Sequence, residues 1–218
     1  MTFCKDVDLL HWEPNLFRDA AFASQALMGG TGDLAGTTFT VSAGSLAASH
    51  VVAGGVIVLS GSVAGSFPIV SIDSATQLTL SVLYDQLYPD EGAGTASPVG
   101  TAAGLTFSVR TFWAQRKVVS DLLLQAAGIV PGTEEAATAS VLNPEALRRA
   151  CVLGTLQMIY NALAAVGGEA AAELGVRSDL YERLYRRAVR QAKVELDLDG
   201  DGVRDVRRVL DVVRFCRV

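Results

Sequence analysis

Apolar residues recur along this chain in two rhythms, and the switch between them marks its organisation. From Pro14 onward, Phe17, Ala20, Ala21, Ser24, Leu27 and Met28 fall three and four apart. That spacing predicts one face of a helix, which the double glycine Gly29-Gly30 should stop. Proline suits its first turn, where the missing N–H is not needed. Helical spacing then vanishes. Between 31 and 109 only five side chains are charged, and Gly, Ser, Thr and Val are abundant. Thr38–Val41, Val56–Leu59, Ile69–Ile72, Gln77–Val82 and Leu105–Thr111 read as short strands, with alternation clearest at Leu78, Leu80, Val82 and at Leu105, Phe107, Val109. Turn residues separate them at Ser42–Ser45, Gly61–Gly65 and Asp73–Ala75. Five or six short strands in so small a span predict a small barrel or sandwich. Tyr88–Pro98 has no core pattern and reads as a mobile loop.

The helical rhythm returns near Phe112. Val118, Val119, Leu122, Leu123 and Ala126 make an apolar face, and Gln115, Arg116, Lys117, Ser120 and Asp121 the polar one; Gly128 and Pro131 close the helix. Pro131–Ser140 reads as a linker. Asn143-Pro144-Glu145 is a strong start signal: a cap, a proline at the first position, and an acid near the positive dipole end. The helix it opens runs to Val166 and stops at Gly167-Gly168. It is apolar almost all round from Ala150, which requires neighbours on every side, within a bundle or from another subunit. A further helix starts at Ser178 or Asp179, with Glu182 as capping-box partner of Asp179. Tyr181, Leu184, Tyr185, Ala188, Val189 and Ala192 form its apolar face. Arg183, Arg186, Arg187, Arg190 and Lys193 form a basic one, read as a solvated stripe, with docking on an acidic partner as the alternative.

The order is helix, strands, then three helices. The economical fold is α+β: a bundle of about four helices from residues 1–30 and 112–202, a small β-barrel or sandwich-like domain (31–111) inserted between helices 1 and 2, and an extended C-terminal tail, 203–218.

Composition narrows the chemistry. Half of the 218 residues are hydrophobic, enough for a sizeable core. The net charge of −5 is uneven: residues 1–111 carry Lys5, Arg18 and Arg110 against nine carboxylates, and the remainder is nearly balanced. Neither part has the basic footprint of a nucleic-acid binder. Cys4, Cys151 and Cys216 are odd in number and far apart, which reads as three reduced thiols of a cytosolically made protein. His11 and His50 are the only histidines and complete no zinc set. Gly29-Gly-Thr-Gly32 lacks the Lys and Ser/Thr of a phosphate loop, and no Gly-x-Ser-x-Gly elbow occurs. Catalysis is therefore not expected. The acidic start, Met1–Asp8, lacks a signal peptide's apolar stretch, and Val51–Leu59 is about half the length that spans a bilayer, so a soluble protein without membrane contact is expected.

The chain's end is its most distinctive part. The preceding helix should run into Asp197-x-Asp199-Gly-Asp201-Gly-x-x-Asp205, which matches positions 1, 3, 5, 6 and 9 of an EF-hand-type calcium loop. Position 12, normally a bidentate glutamate, is Arg208, so any calcium binding is weak; the alternative is an acidic turn that redirects the chain. No other cofactor is expected. Val206, Arg207, Arg208, Val209, Leu210, Asp211, Val212, Val213, Arg214, Phe215, Cys216, Arg217 and Val218 follow, alternating apolar and charged positions. Such a tail has no local packing partner and should be disordered before it meets another protein. Val212-Val213-Arg214-Phe215 suits addition to a partner's sheet edge, and packing on its own domain is the alternative.

Four features together resemble the head–tail adaptor (connector, head-completion) proteins of tailed bacteriophages. They are the acidic Asp6-Val-Asp8 before a helix, the long apolar helix after Asn143-Pro144, the helix bearing Tyr181-Glu-Arg-Leu-Tyr185 and Arg186-Arg-Ala-Val-Arg190, and the Leu196–Gly202 turn with its arginine-bearing tail. The resemblance covers residues 1–30 and 110–218. It implies a virion protein at the head–tail interface, made in the host cytoplasm and forming a homo-oligomeric ring, usually of twelve subunits, below the portal protein. It places portal contact on Val206–Val218 and subunit contact on the free face of the 143–166 helix. The rest of the surface would meet the next neck or tail-completion protein, while DNA passes through the channel without sequence-specific binding. Other neck proteins and a calcium-dependent binding module are the alternatives.

Overall fold

A computed structural model describes residues 2–83, 96–133, 139–168 and 170–210. The chain divides into two compact units, Lys5–Phe112 and Met1–Cys4 with Trp113–Val218.

The first unit is a closed antiparallel barrel. Its strands are β1 (Ala26–Gly36), β2 (Thr38–Val41), β3 (Val56–Ser60), β4 (Gly65–Ile72), β5 (Gln77–Leu80) and β6 (Gly100–Arg110), arranged β1-β2-β5-β4-β3-β6. β6 closes the barrel by pairing with both β1 and β3. Alternation in the sequence translates directly into an interior: Phe39 and Val41, Leu78 and Leu80, and Leu105, Phe107 and Val109 all point into one core with Leu34, Ile57, Leu59 and Ile69.

The helix expected from Pro14 to Met28 does not form. In its place stand α1 (Asp6–Trp12), α2 (Leu16–Asp19), a single 3-10 turn (Ala23–Gln25) and the start of β1. These pieces belong to the barrel unit. The backbone N–H of Lys5 donates to the Asp8 carboxylate at 2.6 Å in a capping box that opens α1. Asp6 accepts from the Thr111 hydroxyl at 2.7 Å and the Phe112 N–H at 3.0 Å, tying that start to the end of β6. Phe17, whose spacing mimics a helical face, is buried with its ring 5.0 Å from that of Phe112. The expected bundle of about four helices with a small inserted domain is thereby corrected: the fold is α+β with five helices among the described residues, and the barrel is its main element.

β1 escaped the sequence pattern because it is rich in glycine and a glycine, Gly32, occupies one of its two buried positions, Leu34 the other. A Cβ on Gly32 would come within 2.5 Å of the Phe39 ring and 2.6 Å of the Thr40 carbonyl oxygen. A glycine weakens a strand by roughly 0.5–1 kcal/mol relative to alanine, whereas losing a buried phenylalanine costs about 3–5 kcal/mol. Seating Phe39, which meets Phe107 edge-on with centroids 5.2 Å apart, outweighs the cost of the glycine.

The second unit contains α3 (Trp113–Ala126), β7 (Ser140–Val141), α4 (Glu145–Val166), α5 (Ala171–Gln191), β8 (Lys193–Asp197) and β9 (Val206–Val209), the strands forming one antiparallel sheet ordered β7-β8-β9. Residues 150–156 of α4 are all buried, as their composition requires, but the last turn is exposed, Val166 at 78%. By length and composition α4 could cross a membrane, a test that the core helix of a soluble protein also passes; 50% of its most apolar window is buried inside the protein. Gly154 lets α4 pass close to both neighbouring helices: a Cβ there would lie 2.8 Å from Val119 of α3 and 3.0 Å from Tyr185 of α5. Tyr160 and Tyr181 stack with centroids 5.5 Å apart.

Several local expectations change in this unit. α5 begins at Ala171, so Ser178 and Asp179 lie inside it rather than at its cap; the good helix formers Ala171–Leu174 carry it across Gly175. Asn143 does not cap α4. Its side chain donates to the Lys193 carbonyl at 2.9 Å and accepts the Glu195 N–H at 2.8 Å, joining the helix start to β8. α3 is rotated from its expected orientation: Arg116 and Ser120 are buried, while Val118 and Leu122 are exposed. The loop expected at Tyr88–Pro98 and the linker Pro131–Ser140 lie partly outside the described residues.

Candidate functional site

The acidic turn is the loop of a β-hairpin, and a strand leads into it where the sequence predicts a helix. α5 ends at Gln191, β8 carries the chain to Asp197, and β9 returns with Val206 paired to Leu196. Gly200 and Gly202 adopt φ of 82° and 80°, a left-handed backbone that side chains disfavour, and so let the loop coil back on itself.

Asp197 organises the loop. One of its oxygens accepts the Gly200 N–H at 2.7 Å and the other the Gly202 N–H at 2.9 Å. Burial pushes its carboxyl up, but the N–H groups of Gly202, Gly200 and Asp201, with a hydrogen bond shared with the Asp199 side chain, outweigh it and hold the pKa below its ordinary value. Asp205 accepts the Leu198 N–H at 2.7 Å, and Asp201 accepts the Val203 N–H at 2.7 Å.

Of the four sequence candidates, Asp197, Asp199 and Asp205 converge, with oxygens within 4.8 Å of one another. Oxygens on opposite sides of one calcium ion lie about 4.8 Å apart at ordinary bond lengths, so the spacing fits a hard divalent cation. Asp201 is not in that group. Arg208, at the twelfth position, turns its guanidinium to the Ala127 carbonyl and supplies no ligand. Arg204 instead pairs with Glu195 at 3.1 Å.

The tail divides at Leu210. Val206, Arg207, Arg208 and Val209 are β9, registered against Lys193–Leu196, so they have a local partner where none was expected. Arg207 and Val209 are exposed on that strand. Asp211, Val212, Val213, Arg214, Phe215, Cys216, Arg217 and Val218, the remainder of the portal-binding candidates, lie outside the described residues. Of the predicted basic stripe, Arg183, Arg186, Arg187 and Arg190 lie on α5 and Lys193 falls on β8; all five are exposed, and Arg186 pairs with Glu182.

One cluster has no signal in the sequence. Residues 3 and 4 run along α3: the Phe3 N–H donates to Ser120 Oγ at 3.1 Å, and Arg116 donates to the Cys4 carbonyl at 2.7 Å. This brings Cys4 Sγ to 2.8 Å from Cys151 Sγ on α4, both buried. A separation of 147 positions hides the pair from any spacing rule. His11 Nδ1 lies 2.9 Å from the Val7 carbonyl oxygen, and exposed His50 sits at φ 56°.

No protein-family model matches this chain, and neither does any curated protein or solved structure.

Proposed function

We propose that this chain is a structural head–tail adaptor of a tailed phage. It assembles with copies of itself as a ring below the portal protein, docks to the portal through its C-terminal segment, and joins it to the next neck or tail protein around the path of the DNA. The role is association without catalysis. A ring repeats one modest contact around an axis, so avidity replaces a large single interface.

The observation that supports this reading most is the edge strand β9. Among the described residues it pairs with β8 alone, and its chain continues through Leu210 into Asp211-Val-Val-Arg-Phe-Cys-Arg-Val218. An edge strand that leads into alternating apolar and arginine residues suits pairing with a partner's sheet. The acidic balance of residues 1–111 suits a component that DNA passes without adhering.

The test is co-sedimentation with the candidate portal ring, using the full chain and a chain ended after Leu210. The shorter chain keeps β9 and loses only the proposed hook. Binding by the full chain alone is the expected result. No binding by either chain sinks the adaptor reading in favour of another neck or tail-completion protein. A calcium titration separates both from a calcium-dependent binding module, which the converging Asp197, Asp199 and Asp205 favour. Absence of binding heat at millimolar calcium removes the module.

A further inference from the structure

We infer that Cys4 and Cys151 are a disulfide site, at which a bond between their sulfurs joins the two chain segments of the helical unit into one covalent body. The unit is discontinuous: residues 1–4 and the chain from Trp113 belong to it, and everything between forms the barrel unit. A Cys4–Cys151 bond therefore links the two segments across the point where the barrel sequence is inserted.

Geometry carries the inference. The sulfurs lie 2.8 Å apart, within an ångström of a bonded pair at about 2.05 Å. The approach is held from both sides. On one, Arg116 and Ser120 fix the backbone of residues 3 and 4 through bonds of 2.7 Å and 3.1 Å. On the other, Cys151 sits in the fully buried stretch of α4, its sulfur 3.4 Å from Ser120 Oγ and its carbonyl accepting the Thr155 hydroxyl at 2.7 Å. Two polar anchors on this short segment explain why α3 buries Arg116 and Ser120 while leaving Val118 and Leu122 exposed.

The surroundings also favour the reactive form of one thiol. The hydrogen bond from Cys4 lowers the pKa of Cys151; burial opposes it, and Ser120, the Phe3 N–H and the Arg116 charge add to the lowering, so the net shift is below the ordinary 9.0. The oxidant is a small-molecule disulfide. One cysteine thiolate attacks a sulfur of that disulfide, breaking its S–S bond and releasing one thiol, which takes up the proton. The second cysteine thiolate attacks the resulting mixed disulfide, forms the Cys4–Cys151 bond and releases the second thiol. The two cysteines together lose two electrons and two protons, and the reagent becomes two thiols. Because both sulfurs are buried, exchange takes place as the unit folds or reopens.

The third cysteine, Cys216, is removed for the test by Cys216→Ser in the full chain. The protein is refolded in glutathione buffers poised from reducing to oxidising, quenched with acid, alkylated in denaturant and weighed. The expected result at the oxidising end is no alkylated thiol, a mass two hydrogens lower, and a peptide pair containing Cys4 and Cys151. The oxidised form should also melt higher than the reduced form, by on the order of 10 °C for so long a closed loop. Adding Cys4→Ser should abolish that difference. Two alkylatable thiols at the oxidising end, separate glutathione adducts on both sulfurs, or linkage between chains would each overturn the inference.

Discussion

At Gly32 a single added methyl would meet the Phe39 ring and the Thr40 carbonyl oxygen at 2.5 and 2.6 Å, and at Gly154 it would meet Val119 and Tyr185 at 2.8 and 3.0 Å. Intrinsic propensity favours alanine at both, since one lies in a strand and the other in a helix. Steric overlap decides the sign. Gly32→Ala and Gly154→Ala should each destabilise by about 1–3 kcal/mol, measured by denaturant unfolding; a gain in stability at either would refute the packing argument. Asp197 supplies a pH effect. Its folded pKa is held below the ordinary 3.8, so the stability it contributes is complete above that value and disappears as pH falls through the lowered pKa. Amide resonances of Gly200 and Gly202 should report this, shifting together on acidification below about pH 4 as the carboxylate they bond is protonated. If the Asp197 carboxyl carbon resonance titrates without those two amides moving with it, those two bonds do not set the pKa.

Elements are bound to each other by backbone partners that the sequence does not display. Asn143 accepts from one residue of β8 and donates to another, and so fixes where α4 begins relative to the sheet. Asn143→Ala should cost about 1 kcal/mol, with the loss visible as faster amide exchange at Glu195. β9 makes a sharper case. Ending the chain after Leu210 should leave β8 protected at Val194 and Leu196, whereas ending it after Gly202 removes β9 and should expose those amides. Equal exchange in the two truncated chains would contradict the register of Val194 with Arg208 and Leu196 with Val206. The same comparison keeps a folding defect apart from loss of a docking segment, because only the longer truncation disturbs the sheet.

For the whole molecule, the two units differ in continuity. Lys5–Phe112 is one unbroken segment with its own core, and it carries Asp6 to Thr111 and Arg110 to Phe17 as internal ties between its ends. A fragment of those residues should fold by itself, read as strand-type circular dichroism with a cooperative melt; a fragment that fails to fold would show that the barrel depends on the rest of the chain. The other unit draws on residues from both sides of that segment. Its stability should fall when residues 2–4 are removed, with the amides of α3 exchanging faster.

Periodicity in the sequence carried β2, β3, the second half of β4, β5 and β6, the long α4 and the acidic loop, because each has strong local chemistry: alternation, an unbroken apolar run, or Asp and Gly at fixed offsets. Four carboxylates of the loop stood out for the same reason, since all belong to one hairpin, and three of them, Asp197, Asp199 and Asp205, converge. What local pattern cannot carry is identity of partners. Phe17 to Met28 fits a helical face as well as it fits two short turns and a glycine-bearing strand. Arg116 and Ser120 look solvent-facing until Phe3 and Cys4 are laid against them. The sequence by itself determined most of the barrel strands, the long apolar helix and the gathering of carboxylates in one loop. Only the tertiary structure decided that the N-terminal residues join the barrel, that the strand into the acidic loop replaces a helix, and that Cys4 meets Cys151. Those choices depend on contacts between residues far apart in the chain, whose energies no short window of sequence contains.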